Sequence, residues 1–146
     1  MADLSLGQSD HIDEQDWLHA EMLRSYYGAM LQKLLRLFSR QGVLVRGGST
    51  LEEGTARTVD IGDPLAGGKQ VVLCKLQGEV YALDSLCPHD SGGRIQSGPL
   101  EHGKFAICPL HRYMFDPKTG KAEGVACAPA RKYKTKRIGD DLEVFV

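Results

Sequence analysis

The chain has 146 residues, of which 42% are hydrophobic and 25% charged, and its formal net charge is −1 at pH 7. These values are typical of a globular protein, and they exclude collagen, low-complexity disorder and a disulfide-dense small protein. A net charge close to zero also excludes a strong overall attraction to nucleic acid.

The amino-terminal segment has neither a secretory nor a mitochondrial pattern. No run of apolar residues is long enough to span a membrane. The first 16 residues contain no Lys or Arg, whereas both kinds of leader need positive charge. We therefore expect a cytoplasmic protein without a transmembrane segment, in which the four cysteines stay reduced and are metal ligands or buried side chains. The acidic residues of this segment are Asp3, Asp10, Asp13, Glu14 and Asp16.

Residues 10–41 have the pattern of an amphipathic helix. Asp10 or Asp13 can cap its start, and Gly42 can end it. Packing against protein, including self-association, is the most common use of an apolar stripe; docking of a partner ranks second and membrane binding third. The stripe recurs every three or four residues: Trp17, Leu18, Met22, Tyr26, Met30, Leu34, Leu37 and Phe38.

Two parts of the chain are expected, because Gly47, Gly48, Ser49 and Thr50 have the composition of a linker. Residues 1–50 would be a helical extension with its linker, and residues 51–146 a domain of short strands. Within that domain, residues 71–76 and 79–83 flank Gln77-Gly78 and predict a hairpin. Further strands are predicted at 104–107, 114–115, 133–138 and 142–146, with a turn at 117–120.

Two short motifs contain the metal-ligating residue types. Written together they read C-x-H-x18-C-x2-H, and each motif contributes one Cys and one His from a loop that follows a strand. Zinc fingers usually pair Cys with Cys and His with His. Two thiolates and two imidazoles can bind either zinc or an iron–sulfur cluster with mixed ligation. Because each motif contains one Cys and one His, the pattern favours the iron–sulfur cluster. The candidate ligands are Cys87, His89, Cys108 and His111.

At these motifs the sequence resembles the Rieske [2Fe–2S] family, in particular its small soluble ferredoxins. The matching segments are CPHDSGG at 87–93 and CPLHRYMFDPKTG at 108–120, within a resemblance that extends over 51–146. It implies a mainly β fold, an antiparallel β-sandwich with a smaller cluster-binding subdomain. It also implies one [2Fe–2S] cluster per chain, with the two kinds of ligand on different irons: Cys87 and Cys108 on one, His89 and His111 on the other.

The residues around the implied cluster indicate a low reduction potential. High-potential members of the family carry a disulfide between the two loops and hydroxyl groups that donate to the cluster sulfurs. Here Tyr113 stands at the position of a Ser and Phe115 at that of a Tyr, so fewer donors stabilise an added electron. We expect the low end of the Rieske window of roughly −150 to +300 mV. The other residues expected next to the cluster are Pro88, Gly92, Gly93, Leu110 and Pro129.

The expected function is one-electron transfer by a Rieske ferredoxin between a reductase and an oxygenase-type enzyme. The motif regions contain no second metal site and no nucleophile with a base, so we do not expect the chain to be an enzyme in its own right. Two alternatives remain open: an accessory subunit of a larger oxidoreductase such as a nitrite reductase, and a zinc-binding interaction module. Self-association through the 10–41 helix is a further possibility.

Other reactive residue types have simpler interpretations. Cys74 lies in the middle of a strand and is expected to be a core residue, and Cys127 is not expected to have a redox role of its own. A solvated face is favoured over a docking patch for the alternating lysines. Solvent-exposed positions are expected for His11, His19, His102, Lys132, Lys134 and Lys136.

Overall fold

The structure is a computed structural model, and it describes residue 23 and residues 25–35, 42–89 and 92–146. Residues 25–35 form a helix, within the range in which the sequence predicts one. The rest of the predicted 10–41 helix, together with His11 and His19, lies outside the described residues. All large apolar side chains of residues 25–35 are exposed, and self-association through this helix stays a prediction.

The described residues after this helix form nine strands in two antiparallel sheets, so the expectation of a mainly β fold is confirmed. The larger sheet has seven strands in the order β1-β9-β8-β4-β3-β2-β5, and the smaller one pairs β6 with β7. The strands are β1 (Val43–Val45), β2 (Thr55–Ile61), β3 (Lys69–Leu76), β4 (Glu79–Asp84), β5 (Gly98–Pro99), β6 (Ala106–Cys108), β7 (Tyr113–Phe115), β8 (Lys132–Ile138) and β9 (Asp141–Phe145).

The hairpin of β3 and β4 forms where the sequence predicts it. Leu76 pairs with Glu79, so Gln77 and Gly78 alone make the turn, with φ angles of 55° and 79°. Two consecutive left-handed residues give the turn type whose twist matches that of paired strands. The Glu53 carboxylate accepts hydrogen bonds from both turn amides and fixes the turn to the neighbouring segment.

Strands β3 and β4 are buried on both faces, which gives the fold two hydrophobic clusters. Val71 and Leu73 face one cluster, whereas Val72 and Cys74 face the other, as the period of two requires. The first cluster also contains Tyr133, Leu142 and Val144 of β8 and β9. The second contains Leu83, Ile95, Phe115, Cys87 and Cys108, so it forms the base of the candidate site.

A tight turn closes the smaller sheet on the side away from the ligand loops. The Asp116 side chain accepts a hydrogen bond from the Lys118 N–H at 2.8 Å, and the Gly120 N–H donates to the Asp116 carbonyl oxygen at 2.7 Å. Gly120 has a φ of 77° and lies against the Ala130 carbonyl, where a side chain would clash. The predicted turn at 117–120 is therefore confirmed.

Residues 43–50 form a strand and a turn at the edge of the larger sheet. Strand β1 pairs with β9, from Val43 opposite Val144 to Val45 opposite Leu142. The following turn is attached to the sheet, because Ser49 is buried and its hydroxyl donates to the Gly139 carbonyl oxygen at 2.9 Å. The residues that the sequence predicts as a linker, 47–50, lie in this turn, and their small side chains allow close packing on the β8–β9 turn.

The chain divides into two compact units, Met1–Arg40 and Gln41–Val146. The predicted division at residue 50 stays a prediction, and β1 lies on its amino-terminal side. In the described ranges, no helix has both the length and the apolar composition needed to cross a lipid bilayer.

Candidate iron–sulfur site

The first ligand loop begins at the end of β4. The Asp84 carboxylate accepts a hydrogen bond from the Leu86 N–H at 2.9 Å, and the Cys87 N–H donates to the Gly93 carbonyl oxygen at 2.9 Å. Leu86 also forms an isolated bridge with Arg94. These bonds close the loop around Cys87, whose side chain is 8% exposed.

The second ligand loop joins β6 to β7. Cys108, at the end of β6, lies directly opposite Tyr113 at the start of β7, so residues 109–112 form a compact connection. Arg112 has a φ of 57°, which turns the chain sharply between His111 and Tyr113. Cys108 is 2% exposed, whereas His111 is exposed.

The two ligand thiols share one buried environment. The pKa of Cys87 is raised to about 11, above all by burial. The His89 backbone N–H acts in the opposite direction, whereas a hydrogen bond with Cys108 and the nearby charges of Cys108 and Cys127 add to the rise. The thiol is therefore protonated at neutral pH until a metal displaces the proton. Both sulfurs belong to the second hydrophobic cluster, with Phe115 completely buried beside them.

The two imidazoles meet at the surface above the thiols. The ring centroids of His89 and His111 lie 4.6 Å apart at an interplanar angle of 73°. The Tyr113 ring lies 4.7 Å from that of His89 and 6.2 Å from that of His111. One aromatic side chain therefore supports both imidazoles, a contact that the position of Tyr113 in the motif did not reveal.

Gly93 is the position where the site has no room for a side chain. A Cβ atom there would lie 2.7 Å from the Cys108 Sγ and 3.2 Å from a methyl carbon of Leu110. The neighbouring Gly92 has a φ of 68° but open space around it. The backbone therefore comes close to the sulfur, as expected of a chain that directs N–H groups toward a cluster.

The chemistry of the donor set fits a binuclear cluster. The four candidate ligands form a buried pair of thiols and a surface pair of imidazoles. Two pairs of different chemistry suit two irons with different ligands.

The remaining predicted neighbours occupy different surroundings. Leu110 is 52% exposed, Pro88 is half-buried and Pro129 is exposed on the loop that precedes β8. On that loop, Cys127 packs against the second hydrophobic cluster and influences the pKa of Cys87. Cys74 is fully buried, as expected, and burial raises its pKa to about 12.

Ser85 and Arg94 support the first loop, and the motif gave no sign of either. Ser85 is completely buried and accepts hydrogen bonds from the Arg94 guanidinium at 3.0 Å and, on its carbonyl oxygen, from the Ile95 N–H at 2.7 Å. In the sequence, the signal available for Ser85 was a serine directly after a strand, and for Arg94 it was an arginine directly after two glycines.

Fold and site together define a class of β-rich domain that presents paired thiols and paired imidazoles on two loops. A family model described as "Rieske [2Fe-2S] domain" matches residues 42–141. The ferredoxin component of the naphthalene 1,2-dioxygenase system of Pseudomonas putida is 48% identical over 62 residues, which are 42% of this chain and 55% of that protein.

Two further comparisons cover more of the domain. A 3-phenylpropionate/cinnamic acid dioxygenase ferredoxin subunit of Photorhabdus laumondii is 36% identical over 80 residues, 55% of this chain and 67% of that protein. The solved ferredoxin of carbazole 1,9a-dioxygenase from Nocardioides aromaticivorans IC177 aligns with a TM-score of 0.59 and 26% identity, over 71% of this chain and 96% of that one.

The chain belongs to the Rieske [2Fe–2S] domain family, whose cofactor is a [2Fe–2S] cluster. This confirms the resemblance found in the sequence. The chain spans about half the length of the first curated relatives that it matches, 55% in the case of the Pseudomonas putida protein.

Proposed function

We propose that this chain is a one-electron carrier that receives electrons from a reductase and delivers them to an oxygenase. Support comes from curated relatives that are ferredoxin components of naphthalene and dinitrotoluene dioxygenase systems. The observation that carries the proposal is the difference in burial between the two ends of the site: the thiols are buried at its base, and the imidazole edges lie at the surface.

In this proposal Cys87 and Cys108 hold one iron, and His89 and His111 hold the other. When bound, the cluster takes up and releases one electron. The buried thiols fix its inner end in the second hydrophobic cluster, while the half-buried His89 and the exposed His111 provide the contact with partners. Exposed Leu110 and Pro129 would surround that contact with apolar surface, which suits the brief encounters of redox proteins.

The surroundings also favour the low end of the Rieske potential range. Phe115 is fully buried in the cluster of side chains that contains both thiols, and it has no hydroxyl to donate to sulfur. Tyr113 lies with its ring against the imidazoles rather than in the place of a short hydroxyl donor. An added electron would therefore be stabilised by fewer hydrogen bonds.

The test is reconstitution of an electron-transfer chain. Purified protein is assayed for iron and acid-labile sulfide, and then combined with NADH and the reductase and oxygenase components of the naphthalene 1,2-dioxygenase system. We expect equal iron and sulfide, and substrate oxidation that depends on this chain. A colourless zinc protein would overturn the cluster assignment. A protein that is reduced by the reductase but never reoxidised by any oxygenase component would overturn the carrier function.

A further inference from the structure

A groove of about 550 Å³ lies next to the first ligand loop. Its walls come from the β2–β3 hairpin, the end of β4 and the segments before β5 and β8. Charged side chains predominate, together with one leucine that is 52% exposed. The side chains that matter here are Asp60, Lys69, Asp84, Leu86, Arg94 and Arg131, and we refer to the cavity as the basic groove.

The basic groove is continuous with the ligand loops. Leu86 precedes the ligand Cys87, and its bridge to Arg94 sets the edge of the groove beside Gly93. Arg94 also lines a second depression, of about 490 Å³, whose other wall includes Pro109 and Leu110 of the second loop. A partner that covered both depressions would therefore contact Leu86 of the first ligand loop and Pro109 and Leu110 of the second.

The two carboxylates of the groove are already used by its walls. Asp84 accepts hydrogen bonds from the Tyr133 hydroxyl at 2.7 Å and the Leu86 N–H at 2.9 Å. Asp60 accepts one from the Gln70 side-chain amide at 3.0 Å. These bonds hold both carboxylates against the sheet, so they position the walls of the groove.

The three cations are exposed and rich in donors. Lys69 Nζ and Arg131 Cζ lie 5.5 and 5.8 Å from the centroid of the Tyr133 ring, which holds both side chains at the groove. Arg94 donates to Ser85 at 3.0 Å. A guanidinium has five N–H donors in a planar fork that matches carboxylates, so Arg94 retains donors for an external group.

We propose that the basic groove receives the acidic face of the protein that exchanges electrons with this chain. Carboxylates of the partner would pair with Arg94 and Arg131, and Leu86 would supply an apolar contact beside the iron–sulfur cluster. The inference rests on the proposed function, because it names the chemistry of the partner. Complementary charge of this kind speeds the encounter and fixes its orientation more than it strengthens the complex.

The experiment measures one-electron transfer from the chemically reduced holoprotein to ferric haem in stopped flow. The probes are the acidic haem protein cytochrome b5 and the basic haem protein cytochrome c. The variant Arg94→Gln/Arg131→Gln removes two charges and leaves a donor near Ser85. The matched control Lys134→Gln/Lys136→Gln removes the same charge from exposed positions on β8.

At low ionic strength we expect the groove variant to slow reduction of cytochrome b5 by about tenfold, without slowing that of cytochrome c. The control should change either rate by less than about twofold, and the difference should vanish in about 1 M salt, where the Debye length falls to roughly 3 Å. Equal slowing by both double variants, or none by either, would overturn the inference.

Two further outcomes distinguish failure of the docking inference from failure of the proposed function and from loss of the cluster. If the unsubstituted chain holds a cluster but transfers no electron to either probe, the proposed function fails and the docking inference with it. If the double variant loses its cluster spectrum, Lys69→Gln/Arg131→Gln replaces it, since both of these side chains lie against the Tyr133 ring. The same tenfold slowing is expected.

Discussion

The sulfur end and the nitrogen end of the candidate site have opposite surroundings. Cys87 and Cys108 are 8% and 2% exposed within a hydrophobic cluster, whereas His89 is half-buried and His111 is exposed. Each ligand loop therefore buries its first ligand and presents its second. The two loops therefore divide the candidate site by depth, and in the proposed function the buried end would retain the cofactor while the surface end would meet partners.

Loss of a thiol at the buried end should have the largest effect. We expect Cys108→Ser to contain almost no iron or acid-labile sulfide after purification, because a serine oxygen is a harder and less acidic ligand than a thiolate. The cluster content is measured by iron and sulfide analysis and by the visible spectrum. Cys74→Ala is the control, since it alters a thiol in the same hydrophobic cluster that is not a proposed ligand. Unchanged cluster content in Cys108→Ser would disprove the ligand assignment.

Crowding of the buried end should have the next largest effect. The methyl group in Gly93→Ala would lie 2.7 Å from the Cys108 Sγ, and overpacking of this kind typically costs about 1–3 kcal/mol. We expect a lower midpoint in urea and an altered cluster spectrum.

The comparison variant is Gly92→Ala, which has open space but a φ of 68°. Its cost is backbone strain of roughly 1–2 kcal/mol, without contact with the sulfur. If both variants had the same spectrum as the parent chain, the close approach of Gly93 to the site would have no consequence for the cluster.

A change at the surface end should alter the potential while the cluster remains. His111→Cys adds a negative ligand, so the reduction potential should move from the Rieske window toward the roughly −400 mV of all-thiolate ferredoxins. Redox titration followed by absorbance measures the shift. His102→Cys places the same thiol on a remote exposed turn, and its potential should equal that of the parent. A potential that did not fall in His111→Cys would contradict the assignment of His111 to the cluster.

The smallest effect concerns the buried thiol that is not a ligand. Burial raises the pKa of Cys74 to about 12 from an ordinary value of about 9. The folded state therefore retains a proton that the unfolded state loses, and stability decreases as pH rises from 9 toward 12. At pH 10 the loss should be about 1.4 kcal/mol. Urea unfolding at pH 8 and pH 10 measures it, and Cys74→Ala should lack this part of the decrease.

Much of the fold could be predicted because its signals are local. The β3–β4 hairpin and its two-residue turn follow from alternating apolar residues around Gln77-Gly78, and the β8–β9 hairpin is equally local. Strands β1, β2 and β5 were missed, and β2 has seven residues, whereas β1 and β5 contain only three and two. For the two short strands no local pattern is long enough to detect. Their strand conformation depends on pairing with β9 and β2, which are distant in sequence.

The candidate site was predictable only as far as its motifs extend. Spacing and residue type indicated the four ligands and Gly93. The contact of Tyr113 with both imidazoles depends on the register of β6 and β7, and the basic groove depends on segments around Arg94 and Arg131 that only the folded sheet brings together. No local pattern encodes such distances.

Strands β3 and β4 are packed on both faces, so the base below the ligand loops has almost no freedom to rearrange. Arrival or departure of a single electron there would displace few atoms. Such stiffness lowers the nuclear rearrangement that accompanies each transfer, which allows rapid exchange between donors and acceptors of nearly equal potential.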